Sequence, residues 1–392
     1  MFYSFHASVF VFLCAGAIVL LLCSSISNSD SGMASIPRAK ELQVLVDLQK
    51  SPSTHLKANL CSKQLKYIPG HVGVLRNLDT LLLRKNCLDA LPEEIADLPI
   101  LKVLDVGHNQ FEEIPPCLAN CPRLTTLRIN DNVLRCLDSG ILGKLRHLTV
   151  LNASGCALSE LPAAISQLTN LTELAVSRND LCSLPRQIGD LQSLRSLLAN
   201  TNRLCRLPGS IGNLNNLRVL DVANNQLVAI PRTIGKCQYL RDLDTRVNRI
   251  GVFPSEMVNL KLEKFDCSLN PLIKKIPLPM ANMDEVFPLK ELCARRVLED
   301  VPTLKRASHF IKTKDPILYQ ALAAASECSV CQRNFLSICI ECVMFVSIKK
   351  VFPETRKSGQ IPMQALLCSH KCFQEQRSEN QYYGLLQLPP PI

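Results

Sequence analysis

From about Leu56 to Pro277 the amino-acid sequence repeats itself with a period near 23 residues. Each copy reads L-x-x-L-x-Φ-x-x-N-x-Φ-x-x-Φ-P, where Φ is apolar, and continues with a second apolar stretch. A unit this short cannot bury an apolar face alone, so copies must stack and the core must form between neighbours. Copies open at Leu78, Leu101, Leu124, Leu148, Leu171, Leu194, Leu217, Leu240 and Leu262, after a degenerate one near Leu56, which makes about ten turns. The composition agrees: 47% of residues are apolar but only 5% aromatic, and tryptophan is absent. Many similar small units need no large aromatic centre.

The leading leucines and the following Φ predict a short parallel strand in every turn. The ninth position carries Asn86, Asn109, Asn132, Asn179, Asn202, Asn225, Asn248 and Asn270, with Cys156 once in its place. A buried carboxamide there can bond the backbone where the chain leaves the strand. Leu91-Pro92, Ile114-Pro115, Leu161-Pro162, Leu184-Pro185, Leu207-Pro208, Ile230-Pro231 and Phe253-Pro254 then open the far side of the turn with a fixed φ and no donor to satisfy. Short irregular or helical segments are expected there.

These motifs resemble the 23-residue class of intracellular leucine-rich-repeat proteins. The resemblance implies an α/β fold, with a curved parallel sheet on a concave face that binds protein partners. Third, fifth, seventh and eighth repeat positions would face that partner. They supply Arg84, Asp105, His108, Arg128, Arg178, Asp221, Asp244, Arg246 and Asp266, a mixed-charge surface suited to a protein client.

The sequence divides into a hydrophobic segment (1–32), an N-terminal cap (33–55), the repeats (56–283), a helical segment (284–326), a cysteine-rich module (327–376) and a flexible tail (377–392). In the helical segment, Pro288 to Val297 resembles a BC box, the helix by which ubiquitin-ligase substrate receptors dock on elongin C. Leu289, Cys293 and Val297 would share one helical stripe. The resemblance implies elongin B/C and a cullin as partners, in a substrate-recognition subunit of a cullin-RING ubiquitin ligase. A helix that merely caps the repeat array is the plainer reading of the same stripe.

In the module, Cys328-x2-Cys331 and Cys368-x3-Cys372 are two chelating pairs at the spacing of one structural zinc site. Cys339, Cys342 and His370 leave the ligand set ambiguous.

Nineteen cysteines, ten of them scattered through the repeats, point to reduced thiols and a cytoplasmic location. Against that, residues 1–29 carry no Lys, Arg, Asp or Glu, and Val9 to Cys23 is nearly all apolar. A signal peptide, or a signal anchor reaching a membrane through residues 2–23, is one reading; a start at Met33 is another. The charge of +10 is dispersed, which argues against nucleic acid. Outside the repeat consensus there is no Ser/His/Asp set, phosphate loop or carboxylate pair, so a binding role is expected rather than catalysis. The alternatives to a ligase subunit are a signalling scaffold and a membrane-anchored receptor.

Overall fold

The computed structural model describes residues 10–14, 17–21, 43–46, 56–68, 70–273, 295, 298, 312, 322, 325–329, 331–335, 340–367, 372 and 382–385. The chain forms two compact units, Met1–Arg203 and Leu204–Ile392.

The first unit begins with an antiparallel sheet of β1 (Phe10–Cys14), β2 (Ala17–Leu21) and β3 (Gln43–Val46), with Phe10 opposite Leu21 and Leu21 opposite Gln43. Of the segment 2–23, which one reading of the sequence makes a signal anchor, residues 10–14 and 17–21 are thus strand and not helix. Phe10-Val11-Phe12 and Ile18-Val19 are aromatic and β-branched, and a short apolar run carries no periodicity that separates strand from helix. Among the described residues no helix is long and apolar enough to cross a membrane.

The repeats follow as parallel strands β4 (Leu56–Asn59), β5 (Leu78–Leu82), β6 (Val103–Asp105), β7 (Thr126–Arg128), β8 (Val150–Asn152), β9 (Glu173–Ala175) and β10 (Ser196–Leu198), each beside its sequence neighbour. Register is one repeat per strand: Leu104 faces Leu127, and Leu127 faces Leu151. The alternation sends Leu81, Leu104, Leu127, Leu151, Leu174 and Leu197 to full burial.

Leaving the strand, the chain turns around the asparagine. The Asn179 Nδ2 donates to the carbonyls of Ala153 and Val176, both at 2.9 Å, while its Oδ1 accepts from the backbone N–H of Cys156 and Leu158 at 2.9 and 3.0 Å. One side chain thus satisfies four buried backbone groups in two adjacent turns. Cys156, standing at this position one repeat earlier, keeps only a donor, its thiol pointing to the Ile129 carbonyl at 3.2 Å.

Prolines cap five-residue 3-10 helices on the opposite side, for example Pro92 before Glu93–Asp97 and Pro185 before Arg186–Asp190. The copy opening at Leu124 has Leu137-Asp138 where others have an apolar-proline pair, and there an α-helix forms, α1 (Ser139–Leu142). Its Asp138 side chain accepts from the Ile141 N–H at 2.8 Å, the bond a proline cannot offer.

In the second unit β11 (Val219–Asp221), β12 (Asp242–Asp244) and, after β13 (Phe253–Pro254), β14 (Lys264–Asp266) continue the parallel pattern, β11 beside β12 and β12 beside β14. The C-terminal segment adds a hairpin, β15 (Ser326–Glu327) with β16 (Asn334–Phe335), and an antiparallel pair, β17 (Ile340–Ser347) with β18 (Gln360–Leu367), joined through α2 (Ile348–Val351). β19 (Tyr382–Leu385) pairs with the outer edge of β17. Strand β18 also pairs in parallel with β13, placing Met363 opposite Phe253. Phe253, Phe265 and Phe352 pack edge to face, each consecutive pair with ring centroids 5.4 Å apart. The apolar end of the repeats is therefore covered by the β17–β18 pair and Phe352. The segment 289–297, read from sequence as either a cap or a docking helix, lies outside the described residues except Arg295.

Candidate protein-binding face

In the first unit the eighth repeat position is a column of residues with left-handed backbone: Lys85, His108, Asp131, Gly155 and Arg178 have φ from 54° to 66°. That conformation turns each side chain outward beside the strand ends, so the column is polar and surface-facing. Arg84 Nη2 lies 2.9 Å from His108 Nε2, which is itself 3.3 Å from Asp131 Oδ2; Arg178 Nη2 bonds Asp131 Oδ1 at 2.7 Å. A single ring nitrogen cannot both accept from Arg84 and donate to Asp131, so the His108 tautomer selects one neighbour at a time.

Arg178 reaches Asp131 across the intervening turn because that turn carries Gly155. A Cβ at Gly155 would stand 2.6 Å from Asp131 Oδ1 and 3.4 Å from Arg178 Nη2, and φ there is +66°. Asp131 is missing from the residues that sequence alone singles out. The signal that could have found it is the lone glycine in an otherwise long-chained column, with opposite charges one turn to either side. Arg84, Arg128 and Arg178 are exposed on this face, and Arg178 keeps 58% of its side chain open despite its bond to Asp131.

Asp105 behaves differently from the expectation. It is buried at 9% exposure, and its Oδ1 accepts from the Gly107 N–H at 3.0 Å. In the second unit Asp221, Asp244 and Asp266 repeat the same bond, to the N–H groups of Ala223, Arg246 and Ser268 at 3.1, 3.1 and 2.9 Å. The fifth-position carboxylates therefore fasten the strand ends through one oxygen, and in Asp244 the other oxygen pairs with Arg246 at 3.2 Å.

The second-unit column is acidic, and its members respond to one another. Burial pushes the Asp244 carboxyl above the ordinary range, and the charges of Asp221 and Asp266 add to the rise, against the pull of Arg246 at 3.2 Å. Burial raises Asp266 as well, but the Lys357 ammonium and the Ser268 bonds more than offset it, so Asp266 sits below the ordinary range. Lys357 belongs to the loop between α2 and β18 and forms an ion pair with Asp266. Asp242, Asp244, Lys264, Asp266, Glu354 and Lys357 are among the residues lining an open cleft of about 610 Å³ at this end of the column.

Comparison with known proteins matches this geometry. The family described as Leucine Rich Repeat matches residues 101–121 and 216–237. The chain contains leucine-rich repeats. It is 33% identical over 128 residues to leucine-rich repeat-containing protein 69 of Xenopus laevis, covering 32% of this chain and 36% of that protein. The mouse protein of the same name is 31% identical over 136 residues, covering 35% of this chain and 39% of the relative. The chain thus spans little more than a third of the length of these curated relatives. Among solved structures it is similar to the leucine-rich-repeat ectodomain of the Arabidopsis thaliana receptor kinase GASSHO1/SCHENGEN3 in complex with Casparian strip integrity factor 2. There the identity is 30% and the TM-score 0.51, over 59% of this chain and 29% of that one.

Beyond the repeats, the Sγ atoms of Cys328, Cys331 and Cys372 lie within 4.8 Å of one another. Cys342 is not in that group: it is buried with its thiol directed to the Ala365 carbonyl at 3.7 Å. Cys339, Cys368 and His370 lie outside the described residues, as do Leu289, Cys293 and Val297.

Proposed function

We propose that this leucine-rich-repeat chain is the client-recognition subunit of an elongin BC and cullin-RING ubiquitin ligase, with a protein client on the strand face and the segment Leu289–Val297 engaging elongin C. In this reading the order of the repeats, the BC-box-like segment and the cysteine pairs also makes the chain kin to leucine-rich repeat-containing protein 58. The ubiquitin chemistry takes place on other subunits, and this chain raises the local concentration of client.

The single observation that supports client binding most is the Arg84, His108, Asp131 and Arg178 ladder. Four ionisable side chains from four of the repeats lie in one connected row, with Arg178 spanning the Gly155 turn to reach Asp131. Such a row discriminates partners by charge register more than it adds affinity. In the second unit the acidic column Asp221, Asp244 and Asp266 favours basic client groups. The plant receptor ectodomain, solved in complex with Casparian strip integrity factor 2, is a precedent for a repeat array of this kind engaging a partner.

The ligase half of the reading is tested by affinity purification of the full-length chain. Elongins B and C should co-purify with the wild type and be lost from Leu289→Ala and Cys293→Phe, while both variants keep the wild-type melting temperature. Folded wild-type protein that retains no elongin would overturn it.

A further inference from the structure

We infer that Cys328, Cys331 and Cys372 are thiolate ligands of one structural zinc ion. Their sulfurs already converge within 4.8 Å of one another. A tetrahedral ion with Zn–S bonds of about 2.3 Å asks for sulfurs about 3.8 Å apart. A closure of one ångström at most separates the two arrangements.

The backbone that presents the first pair is a tight hairpin tip. Hairpin β15–β16 carries Cys328 and Cys331 at its tip, where the Cys328 N–H donates to the Arg333 carbonyl at 2.9 Å and the Gln332 N–H to the Cys328 carbonyl at 3.0 Å. Gln332, directly after the second cysteine, has φ 60°, a left-handed turn residue that reverses the chain around the two sulfurs. The tip is tied to β18 by the Ser329 N–H on the Leu366 carbonyl at 2.8 Å and by the Leu366 N–H on Ser329 Oγ at 3.3 Å.

Packing of plain thiols in an apolar core is the competing account, since Cys328 and Cys372 sit among Phe335, Cys342, Ala365, Leu366 and Leu367. Two features go against it. Cys331 is more exposed than the other two and is absent from that apolar cluster, yet its sulfur lies within 4.8 Å of theirs. The strands β15 and β16 have two residues each, too few to hold a hairpin in water without a cross-link. A zinc ion supplies that link, and it fixes Phe335, the ring beneath the Arg295 guanidinium at 6.0 Å. Three thiolates leave one position, for which the sequence offers Cys368 and His370, both outside the described residues.

The test measures metal in the purified full-length chain by mass spectrometry. About one zinc per chain is expected, falling to background in Cys331→Ser and unchanged in Cys182→Ser, an exposed cysteine of the repeats. Because Cys331 is exposed, its loss removes little packing, and far-ultraviolet circular dichroism should show the repeats intact. Cobalt exchanged into the wild type should give the sulfur-to-metal charge-transfer band and strong visible bands of a tetrahedral thiolate site, absent in Cys331→Ser. Folded wild-type protein without metal, with iron in place of zinc, or with zinc retained by Cys331→Ser would overturn the assignment.

Discussion

At the residue scale the eighth repeat position decides most, because it joins backbone conformation to the binding face. Gly155 and Val247 occupy the same register with opposite consequences. Gly155→Ala puts a Cβ into the space that Arg178 and Asp131 share and forces a side chain into left-handed backbone. A loss of about 1–3 kcal/mol is expected in urea unfolding, together with separation of Arg178 from Asp131. Val247 is a β-branched residue at φ 54° and 39% exposed, a conformation it resists. Val247→Asn should therefore raise stability by about 1 kcal/mol. An unchanged or lowered urea midpoint for Val247→Asn would contradict the conformation assigned to this column. The leucines and asparagines of the repeat are legible in the sequence, since each is dictated by its own turn. Asp131 is not, because its role depends on a glycine one turn away and an arginine two turns away.

At the scale of elements, a repeat strand is predictable from a dozen residues, whereas the pairing of β13 with β18 joins segments more than a hundred residues apart and has no local signature. The 3-10 helices follow from the prolines that precede them, and α1 follows from the one turn that lacks such a proline. The N-terminal apolar run misleads because β-branched and aromatic residues form strands as readily as a short helix. The cap at the end of the array is a matter of long-range contact too. Phe352 is fully buried against Phe265, so Phe352→Ala should cost about 3–5 kcal/mol of the second unit's stability. The check is urea unfolding followed by hydrogen exchange in β14 and β18. A change below about 1 kcal/mol would mean that the pair is not the cap.

At the scale of the whole molecule, scattered buried thiols give the chain a characteristic alkaline response. Burial pushes Cys117, Cys156, Cys237 and Cys267 up to about 11, and burial with the neighbouring Cys117 pushes Cys121 up to about 12, from an ordinary 9.0. Below pH 9 both folded and unfolded chains hold these protons, so the thiols leave stability flat. Between about 9 and 11 the unfolded chain releases protons that the folded chain keeps, and each thiol lowers stability by about 1.4 kcal/mol per pH unit. The urea midpoint should fall steeply from pH 9 to pH 10.5, and a flat midpoint across that window would contradict the burial of these residues.

The central claim is that the strand face, and not the 3-10 side, receives a protein client. It is tested most directly by placing a photo-crosslinking amino acid at position 128 or 178 on the strand face, and at position 94 or 187 among the 3-10 helices, in cells expressing the full-length chain. The account predicts one and the same protein crosslinked from 128 and from 178, and none in common from 94 and 187. Crosslinks to a shared protein from 94 and 187, with nothing specific from 128 or 178, would contradict it.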